Sequence, residues 1–274
     1  MFFLLFACST TTTHLSSPYA LEKGEMQLTV SGAGSGNTVV LSKSYQVGKA
    51  LYEQAEQENT ELTEREARML LDSGIVWALH YPSTSVELLG RYGVSNDILE
   101  GLDVGLRTNF SAWKADAKLQ LWENEKQAWA FNLGYGKDFS MVSSQVEWLT
   151  MTSFSRQDVD MSLIWGGRPT EKFDIYLGPR VLYSKIDTSA KISDQLQALI
   201  PESLSSYNPS KLFFDESMFY YGGTMGGKVG YKDVYLNLEL NTFWVDVQPM
   251  VWGEKRDHSG LMISPVIGIS YLPR

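Results

Sequence analysis

Trp113-Lys114-Ala115-Asp116-Ala117-Lys118-Leu119-Gln120-Leu121-Trp122 alternates without a break. Successive side chains of a strand point to opposite faces, so Trp113, Ala115, Ala117, Leu119 and Leu121 share one face, and Lys114, Asp116, Lys118 and Gln120 the other. A helix would mix the two sets. Val234, Leu236, Leu238 and Leu240 oppose Tyr235, Asn237, Glu239 and Asn241 in the same way, as do Leu102, Val104 and Leu106 against Asp103, Gly105 and Arg107. Weaker copies occupy Met26–Ser31, Ile75–Tyr81, Ser85–Tyr92, Gln127–Gly136, Ser144–Phe154, Asp158–Gly166, Phe173–Ser184, Ser217–Gly230 and Leu261–Tyr271. Most approach the roughly ten residues of a tilted membrane strand and are parted by turn residues.

Alternation alone also describes a soluble sandwich. Aromatic residues at or near strand ends favour a membrane: Tyr92, Trp122, Trp129, Tyr135, Trp148, Trp165, Tyr183, Tyr221, Trp244 and Tyr271 form a set suited to bilayer interfaces. Loop lengths agree. With twelve strands, the long connections 32–74, 185–216 and 245–260 follow strands one, nine and eleven and share one side, whereas Pro82-Ser83-Thr84, Thr170-Glu171-Lys172 and Tyr231-Lys232 lie on the other. Outer-membrane barrels pair short periplasmic turns with long external loops in this way. The expected fold is therefore an all-β, antiparallel, up-and-down transmembrane barrel of about twelve strands, with ten the alternative. Both termini are placed in the periplasm.

Composition narrows the partners. The 274 residues hold 23 Lys and Arg against 32 Asp and Glu, a net charge of −9, and no basic cluster could track a phosphate backbone, so nucleic acid is excluded. Beyond the amino terminus no apolar run approaches the ~20 residues that a membrane-crossing helix needs.

Arg91-Tyr92-Gly93-Val94-Ser95-Asn96-Asp97-Ile98-Leu99-Glu100-Gly101-Leu102-Asp103-Val104-Gly105-Leu106-Arg107 resembles the hairpin text of Gram-negative outer-membrane barrels: a polar turn, then a Gly-rich alternating strand. Ile267-Gly268-Ile269-Ser270-Tyr271 resembles the closing strand read by the barrel-assembly machinery, although this chain continues through Leu272-Pro273-Arg274. The resemblance covers residues 74–274. It implies a bacterial outer-membrane location, with outer-membrane lipids and the assembly machinery as partners, and says little about activity.

Residues 1–8, Met1-Phe2-Phe3-Leu4-Leu5-Phe6-Ala7-Cys8, resemble the end of a truncated lipoprotein signal. The implied lipid attachment is Cys8, the only cysteine, with residues 9–24 as a flexible tether on the periplasmic side and residues 25–274 as the barrel. Residues 44–74 interrupt the strands. Thr63-Glu64-Arg65-Glu66 has capping-box spacing and predicts a helix over Glu64–Asp72; another is read over Lys49–Gln57, and an amphipathic piece over Ile192–Ser206. The insertion, net −4, is either a solvated helical loop or a plug at the barrel mouth.

Catalysis finds little support. Of the three histidines, His14 falls in the tether, His258 in a loop and His80 on a strand, without a positioned partner; no Gly-x-Ser-x-Gly elbow and no metal-ligand spacing occurs. Asp158 and Asp160 share a face as paired carboxylates do, but lumen-lining charge is the simpler reading. The chain is thus expected to be no enzyme and to need no cofactor or metal. Alternation gives a lumen-lining set of Glu87, Arg91, Asp103, Arg107, Lys114, Asp116, Lys118, Asp158, Asp160, Asp174, Arg180, Lys228 and Glu239. Its near-balance of sign suits internal ion pairing, because unpaired confined charges are costly. The expected function is a narrow channel or transporter for small solutes. The competing reading is a structural or surface-interaction barrel, and an embedded enzyme ranks below both.

Overall fold

The computed structural model describes residues 13–56, 69, 73, 83–94, 100–109, 111–138, 149–192, 212–248, 250–251, 254–255 and 257–273. The Trp113–Trp122 alternation lies in β4 (Ala112–Glu123), preceded by β1 (Met26–Asn37), α1 (Thr38–Glu56), β2 (Ser83–Gly93) and β3 (Leu102–Thr108). After it come β5 (Gln127–Asp138), β6 (Leu149–Thr170), β7 (Phe173–Ile192), β8 (Leu212–Tyr231), β9 (Val234–Asp246), β10 (Met250–Val251), β11 (Glu254–Lys255) and β12 (Gly260–Tyr271). Ten of these strands close a barrel in the order β1-β12-β9-β8-β7-β6-β5-β4-β3-β2; β10 and β11 form a separate small ribbon. Every pairing is antiparallel, and the closing pair sets Leu28 opposite Tyr271 and Gly32 opposite Ile267.

The distribution of polarity is the reverse of a soluble domain. Along β9, Val234, Leu236, Leu238 and Leu240 are exposed while Asn237, Glu239 and Asn241 are buried; along β4, Ala115 and Ala117 face out while Lys114, Asp116 and Lys118 face in. Water would not tolerate so continuous an apolar outer wall, which suits lipid. Aromatics ring it at two levels. At one end Trp122 lies opposite Trp129, and Trp129 opposite Trp165. At the other, Trp113 packs edge-on against Tyr135 at 5.8 Å, Tyr183 against Phe219 at 4.9 Å, and Tyr221 lies opposite Trp244. On β9 the wall runs from Val234 to Trp244, about 33 Å of strand, which at a tilt of ~40° spans the ~25 Å apolar band of such barrels.

Twelve sequence segments become ten barrel strands for two reasons. The described part of Ser144–Phe154, from Leu149, and Asp158–Gly166 belong to one 22-residue strand, β6, which passes through Ser155-Arg156-Gln157 without a turn. The Ile75–Tyr81 segment lies outside the described residues, and Ser83 and Thr84, expected in a turn, begin β2. The segments between these two places therefore run opposite to the expected direction, and direction is restored from Asp158 onward. The three long connections keep a common side because the two changes cancel, and 38–82, 139–148, 193–211 and 247–259 share one end with the tight Asn109–Ser111 turn; Ser83 and Thr84, expected on the short-turn side, lie at this end instead. Asn124–Lys126, Glu171–Lys172, Lys232–Asp233 and residues 94–101 form the short-turn end. The expected loops 185–216 and 245–260 are shorter than drawn, since strands extend into them.

Local chemistry sets the turns. Asn109 Oδ1 accepts from Ala112 N at 2.8 Å and Asn124 Oδ1 from Gln127 N at 2.7 Å, side-chain mimics of a backbone turn. Asn37 Oδ1 caps α1 through Val39 N at 2.9 Å. The helix thus starts well before the expected Lys49. Only Val39 and Val40 of its described side chains are buried, so its described part is a solvated helix, not a plug. Met69 and Ser73 are helical; the rest of Glu64–Asp72, and the Ile192–Ser206 piece beyond the end of β7, lie outside the described residues.

Candidate functional site: an occupied lumen

Inward-facing positions of adjacent strands meet across the barrel as ion pairs. Arg91 on β2 donates to Asp103 on β3 and lies 2.7 Å from Asp116 on β4, while Lys118 reaches Asp103 at 3.0 Å. Lys114 on β4 pairs with Asp160 on β6, which also receives Arg180 of β7 at 2.5 Å. Arg107 lies 3.7 Å from Glu87, Arg168 bonds Asp174 at 2.8 Å, and Tyr176 donates to Glu239 at 2.8 Å. Asp158 is held by Arg156 and by Ser184 Oγ. Twelve of the thirteen residues read as lumen-lining are buried; Lys228 is half-buried, its ammonium 4.2 Å from the centre of the Tyr235 ring. Neighbouring strands bring opposite charges into register, so each desolvated ion is offset by a partner.

Residues 13–21 occupy this interior. They were expected to form part of a periplasmic tether, and the structure corrects that expectation. Thr13, His14, Leu15 and Ser16 are almost wholly buried. Glu239 accepts from the consecutive amides of His14 (2.7 Å) and Leu15 (2.6 Å), one to each carboxylate oxygen. Leu15 sits at φ 44°, left-handed backbone that turns the two N–H groups toward one anion. Arg107 donates to the carbonyls of Thr13 and His14, and Lys118 to those of Ser17 (3.0 Å) and Tyr19 (2.8 Å). Ala20 N donates to Gln120 at 2.7 Å and Leu21 N to Asp103 at 3.2 Å. The Tyr19 ring lies under the Arg168 guanidinium at 3.7 Å. Main-chain groups in a confined space need partners, and barrel side chains supply them to eight N–H and C=O groups of the segment.

The segment leaves at the short-turn end. Gly24, at φ 86°, donates to Gly93 O, and a Cβ on Gly93 would stand 1.9 Å from Glu22 O, so only glycine lets the chain turn there into β1. Leu21, Tyr235 and Leu272 form an apolar cluster beside this mouth. Above the charges, inward-facing Leu182, Ile186, Met218, Tyr220, Phe243 and Val245 are buried, with Tyr220 edge-on to Phe243 at 6.2 Å. Among the described residues these side chains and residues 13–21 fill the interior, apart from a cavity at the short-turn mouth.

Reading the residues along the strands missed Arg156, His14 and Tyr176. Arg156 stands two residues before Asp158 on the same face and would have been found had β6 been read as one strand. Of the other histidines, His258 is buried in the loop before β12 and His80 lies outside the described residues. Cys8 is also outside them. Among the described residues no cluster of His, Cys, Asp or Glu is arranged to hold a metal ion, and no helix is long and apolar enough to cross a membrane.

No family model and no curated protein matches the chain. Among solved structures it is similar to Neisserial surface protein A (9% identity, 90% of this chain and 95% of that one covered, TM-score 0.34). It is also similar to Ail, the attachment invasion locus protein of Yersinia pestis (10% identity, 91% and 99% covered, TM-score 0.30). The complex of Ail with the heparin analogue sucrose octasulfate is similar at 9% identity, 91% and 99% coverage and a TM-score of 0.32. Likenesses this distant carry no argument about the site. The closed antiparallel barrel with its apolar outer wall and charged interior defines the class: this is a β-barrel protein of the outer-membrane type.

Proposed function

We propose that the protein is an outer-membrane barrel, closed at rest by its own residues 13–21, that acts as a structural or surface-interaction protein through its long-loop end. The short-turn end then faces the periplasm. The observation that carries this reading is the seated segment, whose main chain is bonded to Arg107, Lys118, Gln120, Asp103 and Glu239 within the wall. Strands β6, β7 and β8, of 22, 20 and 20 residues, exceed the ~10 needed to cross and reach toward the long-loop end.

The channel or transporter reading applies to the same barrel after residues 13–21 have left. A cavity of about 570 Å³ beside the segment, at the short-turn mouth, favours it as the second reading. Planar-bilayer recording separates the two. The intact protein is expected to give no conductance steps and the form lacking residues 9–21 to give them; steps from the intact protein at rest would overturn the closed-barrel reading.

The lipid anchor on Cys8 is a further part of the proposal. Incorporation of radiolabelled palmitate into the wild type and not into Cys8→Ala is expected; equal labelling of both would refute it. Geometry constrains the anchor. Thr13 is inside the lumen beside Glu87 and Arg107, and five residues reach at most about 17 Å. With residues 13–21 seated, acyl chains on Cys8 cannot round the short-turn rim to the inner leaflet. The anchor on that leaflet and the seated segment are alternative states.

A further inference from the structure

We propose that the lumen is a binding site for an irregular, unstructured polypeptide segment, read through its main chain, and that residues 13–21 are its exchangeable resident rather than a fixed core. The inference rests on how the wall holds the segment. Nine hydrogen bonds from barrel side chains fall on its carbonyls and amides, from Glu239 (two), Arg107 (two), Lys118 (two), Arg180, Gln120 and Asp103. Three involve its side chains, two at Thr13 and one at the Tyr19 hydroxyl. A fold that merely filled its interior would do so with apolar side chains at less desolvation cost. Here polar and charged side chains stand where the main chain, turned at Leu15 and bent at Pro18–Tyr19, presents N–H and C=O, and every polypeptide presents those groups.

Two observations favour exchange. The cavity beside Ser16, Ser17 and Tyr19 leaves room for larger side chains at those positions, so the site does not demand this sequence. The segment also joins β1 through an exposed turn, Glu22-Lys23-Gly24, which is its covalent link to the barrel strands. Cutting there leaves it bound by noncovalent contacts alone. The ligand class is an unstructured peptide of similar length with small or polar residues, which gains its affinity from charge-assisted bonds to the backbone.

The test keeps the full chain. A site-specific protease sequence is placed in the Glu22–Gly24 turn, the folded protein is cut in detergent, and fluorescein-labelled peptides are added. A peptide with the sequence of residues 13–21 should replace the cut segment, seen as fluorescence co-migrating with the barrel, while uncut protein should take up none. A scrambled peptide of the same composition should bind within about tenfold, because the wall reads little of the side chains. The same peptide N-methylated at the amides matching His14, Leu15 and Ala20 should bind at least about 100-fold more weakly, since three charge-assisted or buried bonds are lost. Binding of the native sequence alone would show a private plug, equal binding of the N-methylated peptide would show that the backbone is not read, and failure of every peptide to exchange would show a permanent core. Each of these overturns the proposal and leaves the closed-barrel reading to stand or fall on conductance.

Discussion

Glu239 ties the seated segment to two strands of the wall, its own β9 and the β7 of Tyr176. One carboxylate takes the amides of His14 and Leu15, the Tyr176 hydroxyl and the Asn241 amide at 2.8 Å. An amide in its place offers one acceptor oxygen, so Glu239→Gln leaves one of the two segment N–H groups facing an NH2. The expected cost is ~1.5–3 kcal/mol, read as a lower midpoint of the heat-modifiable gel transition together with new protease sensitivity upstream of Lys23. An unchanged midpoint would mean that the segment is held by packing. Gly178 makes a different demand: a Cβ there would stand 2.0 Å from Leu163 O, a backbone atom of the neighbouring strand. Gly178→Ala is therefore expected to cost ~3 kcal/mol or more and to lower the yield of folded barrel in the membrane.

At the scale of the strand, inside and outside diverge more than sequence alternation suggests. Leu238 is 53% exposed on the lipid-facing wall, and Leu238→Arg should cost ~2–4 kcal/mol near the bilayer midplane. From sequence, an arginine at Asn237 looks harmless in a wet lumen. In the fold, Asn237 is buried and donates to Ser270 Oγ at 2.7 Å, so no space remains for a guanidinium. Asn237→Arg should impair assembly about as much as Leu238→Arg, while Gln120→Arg, half-exposed near the short-turn mouth, should still assemble, at the loss of the acceptor for Ala20 N. Outer-membrane yield of the three variants decides this, and tolerance at Asn237 would point to an interior wetter than the packing allows. The β4 register shift between Gln120 and Trp122 belongs to this scale too: one extra residue leaves Leu121 and Trp122 both exposed, which places Trp122 in the aromatic ring.

For the whole molecule, stability depends on a closed sheet enclosing its own paired charges. Removing the lipid should not loosen such a barrel, because residues 13–21 are held by side chains of the barrel wall and an anchor on the inner leaflet competes with that seating. Cys8→Ala is thus expected to keep or raise the wild-type gel-transition midpoint, in contrast to Glu239→Gln; a matching loss in both would mean that the anchor supports the seated segment and does not compete with it.

Alternation was legible in the residues themselves because the side-chain period of a strand is two, whatever surrounds it. That property decided which face carries the charges; the aromatic set and the loop lengths, equally legible in the residues, turned an alternating sheet into a membrane barrel. Strand number was not decided locally. Ser155-Arg156-Gln157 has the composition of a turn, and only pairing with β5 and β7 keeps it extended. The place of Thr13–Leu21 was legible nowhere, since a short polar stretch without periodicity has no preferred conformation of its own. Its main chain acquired partners only when β3, β4 and β9, distant from it in sequence, brought Arg107, Asp103, Lys118 and Glu239 around one axis.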